Sequence, residues 1–421
     1  MNECCFLYNS KNLIIFFFLV LGKALSIGID LIGTGNTVRL NSELSQQIEN
    51  LKQLADNKKS TIEWREWAHV QAIDSFARSN MSEAAQMWEQ ILSKHPTDMH
   101  ALKMAHDTYF YLGNSPEMRS SIQRVLPAWE NHSKTLPLSE YLHGMLAFGL
   151  EENRDYQSAE KEAKIGLLKQ PFDGWATHAL AHVHEMRSDS LNGLAFLSST
   201  VKNWDRCNYL ACHNFWHWAL FHIEHDEPEG AMDLLEREIL TRAKTSDAML
   251  DVVDAASLLY RLELVYPKEG FTKPEMWSSL VDSVEGHFQD NILGFNQLHF
   301  AMLCLGSDRE KNALNLLESL KDVKSQIHDH WLETTEELLQ AMIDYQREHY
   351  DDSVKRLLKI RNNIYKVGGS DAQRDVFNQL LIIGAIRSKN KELCQQLLKE
   401  RHDFKGKDLP VRKIENFLMN C

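Results

Sequence analysis

The chain has little of what irregular or covalently braced folds need. Only 9 prolines and 19 glycines occur in 421 residues, which suits long helices and few elaborate loops. Its seven cysteines are scattered; Cys4 and Cys5 are adjacent, and no pair has CxxC spacing. Neither a disulfide framework nor a cysteine zinc site is indicated. Basic charge is in deficit: 46 Lys and Arg against 59 Asp and Glu leave a net charge of -13. That balance argues against a nucleic-acid surface, since phosphate binding needs clustered cations. Long apolar runs are also missing. "LIIFFFLVL" at 13–21 has nine apolar residues, whereas a bilayer span takes about 20, so no integral membrane span is expected. Reaction motifs are absent as well. There is no HExxH, no GxGxxG or GxxxxGK[ST] loop and no G-x-S-x-G elbow, and Gly33-Thr34-Gly35 reads as a helix-ending turn.

What is present is helical periodicity. From residue 42 apolar residues recur at helical spacing without sustained alternation; "SELSQQIENLKQLAD" opens on Ser42 as an N-cap. The pattern then repeats itself. "NMSEAAQMWEQILSKHP" sets Ala84, Trp88 and Pro96 at the spacing of the second helix of a tetratricopeptide repeat, and "RDYQSAEKEAKIGLLKQP" repeats it with Ala159, Ala163 and Pro171. Equivalents of that first small position fall at Ala84, Met118, Ala159, Leu194 and Ala231, with spacings of 34, 41, 35 and 37. Weaker copies follow at Ala313, Ser353 and Leu393. First helices carry Phe215-x2-Trp218-Ala219-x2-His222 and comparable runs around Ala147 and Ala301. The fold class expected is all-α: a superhelical solenoid of divergent tetratricopeptide-type helix pairs with a concave face.

Five segments, "LIGTGNTVRL", "MWEQILSKHPTDMHALKMAHDTYFYLG", "LACHNFWHWALFHIE", "DAMLDVVDAASLLYRL" and "GGSDAQRDVFNQLLI", together resemble the tetratricopeptide repeat protein 38 family. The resemblance runs from about Gly22 to the C-terminus and implies a helical-repeat, chiefly intracellular protein without an established activity. The N-terminus departs from it. Residues 1–21 read as an atypical apolar leader, an alternative start or a signal-like segment, and 22–421 as one helical-repeat domain. Ala24-Leu25-Ser26 would serve as a signal cleavage site, so a secretory location stands as the alternative to a cytoplasmic one.

Chemistry-bearing residues cluster in two regions. "WATHALAHVHEM" sets His178, His182 and Glu185 on one helical face, at i, i+4 and i+7. "CHNFWHWALFHIEH" repeats the i, i+4 relation with His213 and His217. Two such pairs on neighbouring helices would supply four imidazoles, with Glu185 as a carboxylate, a set suited to zinc or another borderline divalent ion. Packing accounts for His222 and solvation for His225. It leaves His213, Asn214, Trp216 and His217 unexplained, and His213 and His217 are placed toward the concave groove. Farther along stand Asp254 in an apolar helix, Asn296 and His299 at i, i+3, and Gln373 and Arg374 after the Ser370 N-cap. Gln373 suits a capping box. Arg374 suits an ion pair with a carboxylate such as Asp254, or an anionic ligand. No catalytic residue, metal ligand or cofactor is assigned. The leading expectation is a scaffold holding a protein or peptide partner. The competing one is an enzyme or a metal- or small-molecule-binding protein, with a divalent metal as its cofactor.

Overall fold

The computed structural model describes residues 20–33, 35–131, 136–207, 210–246, 248–267, 270–324, 330–406 and 408–419. The apolar leader, apart from Val20 and Leu21, and the Cys4-Cys5 pair lie outside the described residues. The protein is all-α, about 80% helical, with no strand among the described residues. No helix there is long and apolar enough to cross a membrane.

The chain opens with α1 (Val20–Ile32), α2 (Ser42–Asn57), α3 (Trp64–Ala77) and α4 (Met81–Lys94). Next come α5 (Met99–Tyr111), α6 (Ser115–Glu130), α7 (Leu142–Glu151) and α8 (Tyr156–Lys169). They are followed by α9 (Gly174–Met186), α10 (Ser190–Trp204) and α11 (Ala211–Glu224). α12 (Pro228–Leu234) continues through one π-helical turn (Leu235–Ile239) into α13 (Leu240–Thr245). The remainder is α14 (Met249–Val265), α15 (Pro274–Val284), α16 (Gly294–Gly306), α17 (Glu310–Asp322), α18 (Leu332–Gln346), α19 (Tyr350–Ile360), α20 (Asp371–Arg387), α21 (Lys391–Lys405) and α22 (Leu409–Met419).

One turn recurs through this order. The first helix of a pair ends, and a left-handed residue then sets the direction of the second: Ser79, Gly113, Arg154, Ser188, Asp226, Asp308, Glu348 and Lys389 all have positive φ. Most of these are not glycine, so each carries a small conformational cost that packing of the pair offsets. The turns also share a common register with the helices that follow them. Five residues beyond them lie Ala84, Met118, Ala159, Gly193, Ala231, Ala313, Ser353 and Cys394, every one buried. At the fourth and eighth positions this corrects Leu194 and Leu393 by one residue. Gly193 faces the Phe221 ring, where an added Cβ would come within 2.5 Å, whereas Leu194 is only half-buried. The small residue, not the leucine, sits at the close approach. A smaller correction applies at the start of α2, where Asn41, not Ser42, is the cap and accepts from Leu44 N.

Alternate helices form an inner row. α7 packs on α9, α9 on α11, α11 on α14, α14 on α16 and α16 on α18, while α20 packs on α18, α14 and α9. The others lie outside and are amphipathic: 3 of 14 residues of α8 are buried. Inner helices are buried nearly all round, with 15 of 17 residues in α14 and 12 of 13 in α16. A helix enclosed on every side is a core helix. The polar residues on this row are therefore desolvated with it.

Close approach within the row depends on particular small residues. A Cβ on Gly144 of α7 would stand 2.8 Å from both Ala176 N and Asp173 Oδ2 at the start of α9. Gly144→Ala is expected to push α7 from α9 and to lower stability by about 1–3 kcal/mol, as overpacking does. A thermal melt of the variant beside the parent checks this.

Ala24 is fully buried inside α1, and Gly28, one turn on, lies against Ile73 and Met104. The small-x-small triplet Ala24-Leu25-Ser26 is thus part of a packed helix.

Candidate functional site

α9 and α11 lie side by side in the inner row, and their i, i+4 histidines meet. Asp173 caps α9 by accepting from Trp175 N and Ala176 N, which sets the phase of His178 and His182. Ring centroids are 4.4 Å apart for His178–His182, 4.8 Å for His213–His217 and 4.4 Å for His182–His217. One ligand nitrogen from each of the four lies within 4.8 Å of all the others. His178 and His213 are 3% and 4% exposed, His182 and His217 not at all. The groove-facing placement read for His213 and His217 is therefore corrected: both rings are buried within the inner row. Phe148 of α7 packs on His178 and His182 at 4.8 and 5.1 Å. Trp216 stacks on His213 at 5.0 Å with planes 12° apart.

The hydrogen bonding of these rings is incomplete. His213 Nδ1–H donates to both oxygens of Asp254 at 2.9 Å. The tautomer that this bond requires leaves His213 Nε2 with a lone pair. His178 and His182 meet Nε2 to Nε2 at 2.9 Å. Neither nitrogen of His217 has a hydrogen-bond partner, nor does His178 Nδ1 or either polar atom of the Asn214 side chain. Burial, then the neighbouring imidazoles, holds His178 and His217 well below the usual histidine range. Burial likewise brings His182 down to about 4. At neutral pH His178, His182 and His217 are uncharged, the form that coordinates a metal.

Carboxylates stand near the cluster, but not the one expected. Glu185 is turned away and held by Lys405 Nζ at 2.5 Å. The carboxylate nearest His182 is Glu151 at the end of α7, with Oε2 3.4 Å from Nδ1. Beside it Glu152 accepts from Asp371 N at 2.9 Å and from Arg374 Nη2 at 3.3 Å. Burial, with Asp371 next, raises both Glu151 and Glu152 above the usual carboxylate range. Arg374 thus pairs with Glu152 and Asp371, the latter at 2.7 Å, and not with Asp254, which His213 occupies. Above this group opens a cleft of about 720 Å³, lined by Tyr111, Arg154, Trp331, Glu152, Asp371 and Arg374.

The other expected residues separate from the centre. Gln373 completes the capping box with Ser370, each side chain bonding the other's backbone N–H. His299 Nδ1–H donates to Phe295 O at 2.7 Å, and the ring, outside the four-histidine group, feels the charge of Arg261. Asn296 is buried on α16.

Sequence reasoning missed Glu151, Glu152, Lys405 and Arg261. Two adjacent glutamates ending the apolar run "MLAFGLEE" were the available signal for the first two, since buried carboxylates are costly without a partner. Arg261 interrupts the apolar "LLYRLELV". It is 1% exposed, donates through Nη2 to Ala372 O at 2.7 Å and lies 5.2 Å from the Trp216 ring. Lys405 offered no local signal, because its partners are 181 and 220 residues away.

Depressed imidazoles make the metal-free fold acid-sensitive. Burial brings His106, His182 and His299 to about 4. Each then favours folding above its unfolded value near 6.5, and that stability is lost as pH falls through 6.5 toward 4. In chelator the melting temperature is expected to fall steeply over that window, with a slope reporting net proton uptake on unfolding. A flat profile between pH 7 and 4 contradicts the burial argument.

No family model matches the chain.

Proposed function

We propose that this protein is a divergent tetratricopeptide-type helical array, of the kind the tetratricopeptide repeat protein 38 family represents, whose inner helices hold a divalent metal ion of the zinc type. His178, His182, His213 and His217 are the ligands. The observation that carries this reading is the convergence of four buried imidazoles whose ligand nitrogens lie within 4.8 Å of one another, several without a hydrogen-bond partner. Buried polar atoms are otherwise paired almost everywhere in proteins. Tetrahedral Zn–N bonds of about 2.0–2.1 Å set ligand nitrogens roughly 3.4 Å apart, between the 2.9 Å of the His178–His182 pair and the 4.8 Å limit of the group, an adjustment that small side-chain rotations supply. Asp254 adds the carboxylate that fixes a ligating histidine's tautomer and raises its basicity. The repeated left-handed turn and the inner and outer rows support the repeat assignment.

Elemental analysis of the purified protein tests the reading. About one equivalent of zinc or a similar divalent ion per chain is expected, either as isolated or after dialysis against zinc. A folded protein that neither carries nor takes up metal contradicts it. Asp254→Asn keeps the shape of the side chain but weakens the support of His213, and is expected to reduce zinc affinity by about 10–100-fold in a competition titration with a chromophoric chelator.

The cleft beside Glu152 favours a second reading, a scaffold for a protein or peptide partner, with Trp331 and Tyr111 as aromatic contacts and Arg154 as a charged one. A bound peptide would slow hydrogen exchange in residues 111–116 and 365–366 without altering metal content.

A further inference from the structure

The two buried glutamates at the end of α7 form a second polar cluster that touches the four-histidine group through one ring. Glu151, Glu152 and His182 each offer a ligand atom, and these lie within 4.8 Å of one another. Glu151 is the unexplained member. It is 1% exposed, and neither of its oxygens has a well-formed hydrogen bond. Its contact with His182 Nδ1, at 3.4 Å, falls outside hydrogen-bond geometry, and that nitrogen is likewise unpartnered. Of the two glutamates, Arg374 and the Asp371 N–H bond Glu152 and not Glu151. His182 therefore shows Nε2 to the histidines, 2.9 Å from His178 Nε2, and Nδ1 to the glutamates.

We propose that Glu151, Glu152 and His182 Nδ1 form a second divalent-cation position, adjacent to the four-histidine site and sharing His182 with it. The proposal rests on the four-histidine reading only for that shared ring. Two carboxylates and one imidazole make a harder donor set than four imidazoles and suit manganese, iron or magnesium better than the first position does. Filling both positions makes the His182 ring a bridge. Both nitrogens then ligate, and the ring N–H proton leaves to solvent as the second ion binds, together with any proton that the buried Glu151 and Glu152 carboxyls carry. The cleft lined by Glu152, Asp371 and Arg374 is the side from which that ion enters.

Metal counting with the full chain separates the two sites. Protein preloaded with one equivalent of Zn²⁺ is titrated with Mn²⁺, free Mn²⁺ being read from its EPR signal. Calorimetry in two buffers of different ionisation enthalpy reads the proton. The parent is expected to bind one Mn²⁺ and release the ring proton plus those held by Glu151 and Glu152, at least about one in all. Glu151→Gln is expected to weaken Mn²⁺ at least about 10–100-fold while keeping zinc. Glu152→Gln, whose amide oxygen retains an acceptor for Arg374, should do the same, so the test does not depend on one variant folding. His217→Leu should lose zinc and keep Mn²⁺. Parent-like Mn²⁺ binding by both folded glutamine variants, or no Mn²⁺ uptake by the parent, overturns the second position. Zinc retained by folded His217→Leu overturns the first position instead, and leaves the glutamine result standing.

Discussion

Replacing His217 with leucine is expected to abolish tight zinc uptake and to stabilise the metal-free protein. The opposed signs come from one cause. His217 is fully buried, and both ring nitrogens lack hydrogen-bond partners. An unsatisfied buried polar group costs about 1–3 kcal/mol, and leucine fills similar space without that cost. Metal-free Tm should therefore rise, while zinc no longer raises it. Stability given up at a site that needs strained or unsatisfied groups is the usual mark of function. A histidine retained only for packing would behave otherwise: leucine would leave the zinc response of the parent intact. Differential scanning fluorimetry of both proteins, with chelator and with zinc, reads both signs in one experiment.

The second large effect lies in the buried charges that hold the C-terminal helices to the inner row. Lys405 of α21 reaches Glu185 of α9 at 2.5 Å and Glu224 of α11 at 3.3 Å with no exposed side-chain surface. Arg401, one turn earlier, is held between Asp375 and Asp408. Leu409 N–H at the start of α22 donates to Glu224 at 2.9 Å. Burial opposes the charge on Lys405, but Glu185 and Glu224 outweigh it and keep that amine above the usual lysine range. Lys405→Met leaves two buried carboxylates without their cation and is expected to cost about 3–5 kcal/mol. The loss is read as a lower urea midpoint. Adding Glu185→Gln should recover part of it, since the uncompensated charge and not the missing contact is the larger penalty. Equal losses in the single and double variants contradict this description of the network.

What the sequence reveals of this molecule follows the range of the interactions involved. Helices and their pairing are local, and the i, i+4 histidines of α9 and α11 are local too, so both were legible. Asp254 was visible as a carboxylate in an apolar helix, but its partner was not, because His213 is 41 residues away. Glu185 illustrates the limit most clearly. Helical phase puts it near His178 and His182, yet a lysine 220 residues later captures it, and Glu151 from α7 takes its place beside His182. Gly193 and Cys394 show a similar effect at the level of register. The small residue at a helix crossing is chosen by the neighbouring side chain, here Phe221, and not by the consensus letter.

On the proposed reading, four imidazoles bind one metal ion. X-ray absorption at the zinc edge, on protein loaded with a single equivalent, tests it most directly. About four nitrogen neighbours at about 2.0–2.1 Å are expected, with the outer-shell scattering of imidazole rings and no sulfur. A first shell dominated by oxygen or containing sulfur, or a zinc ion that exchanges freely into chelator, contradicts it.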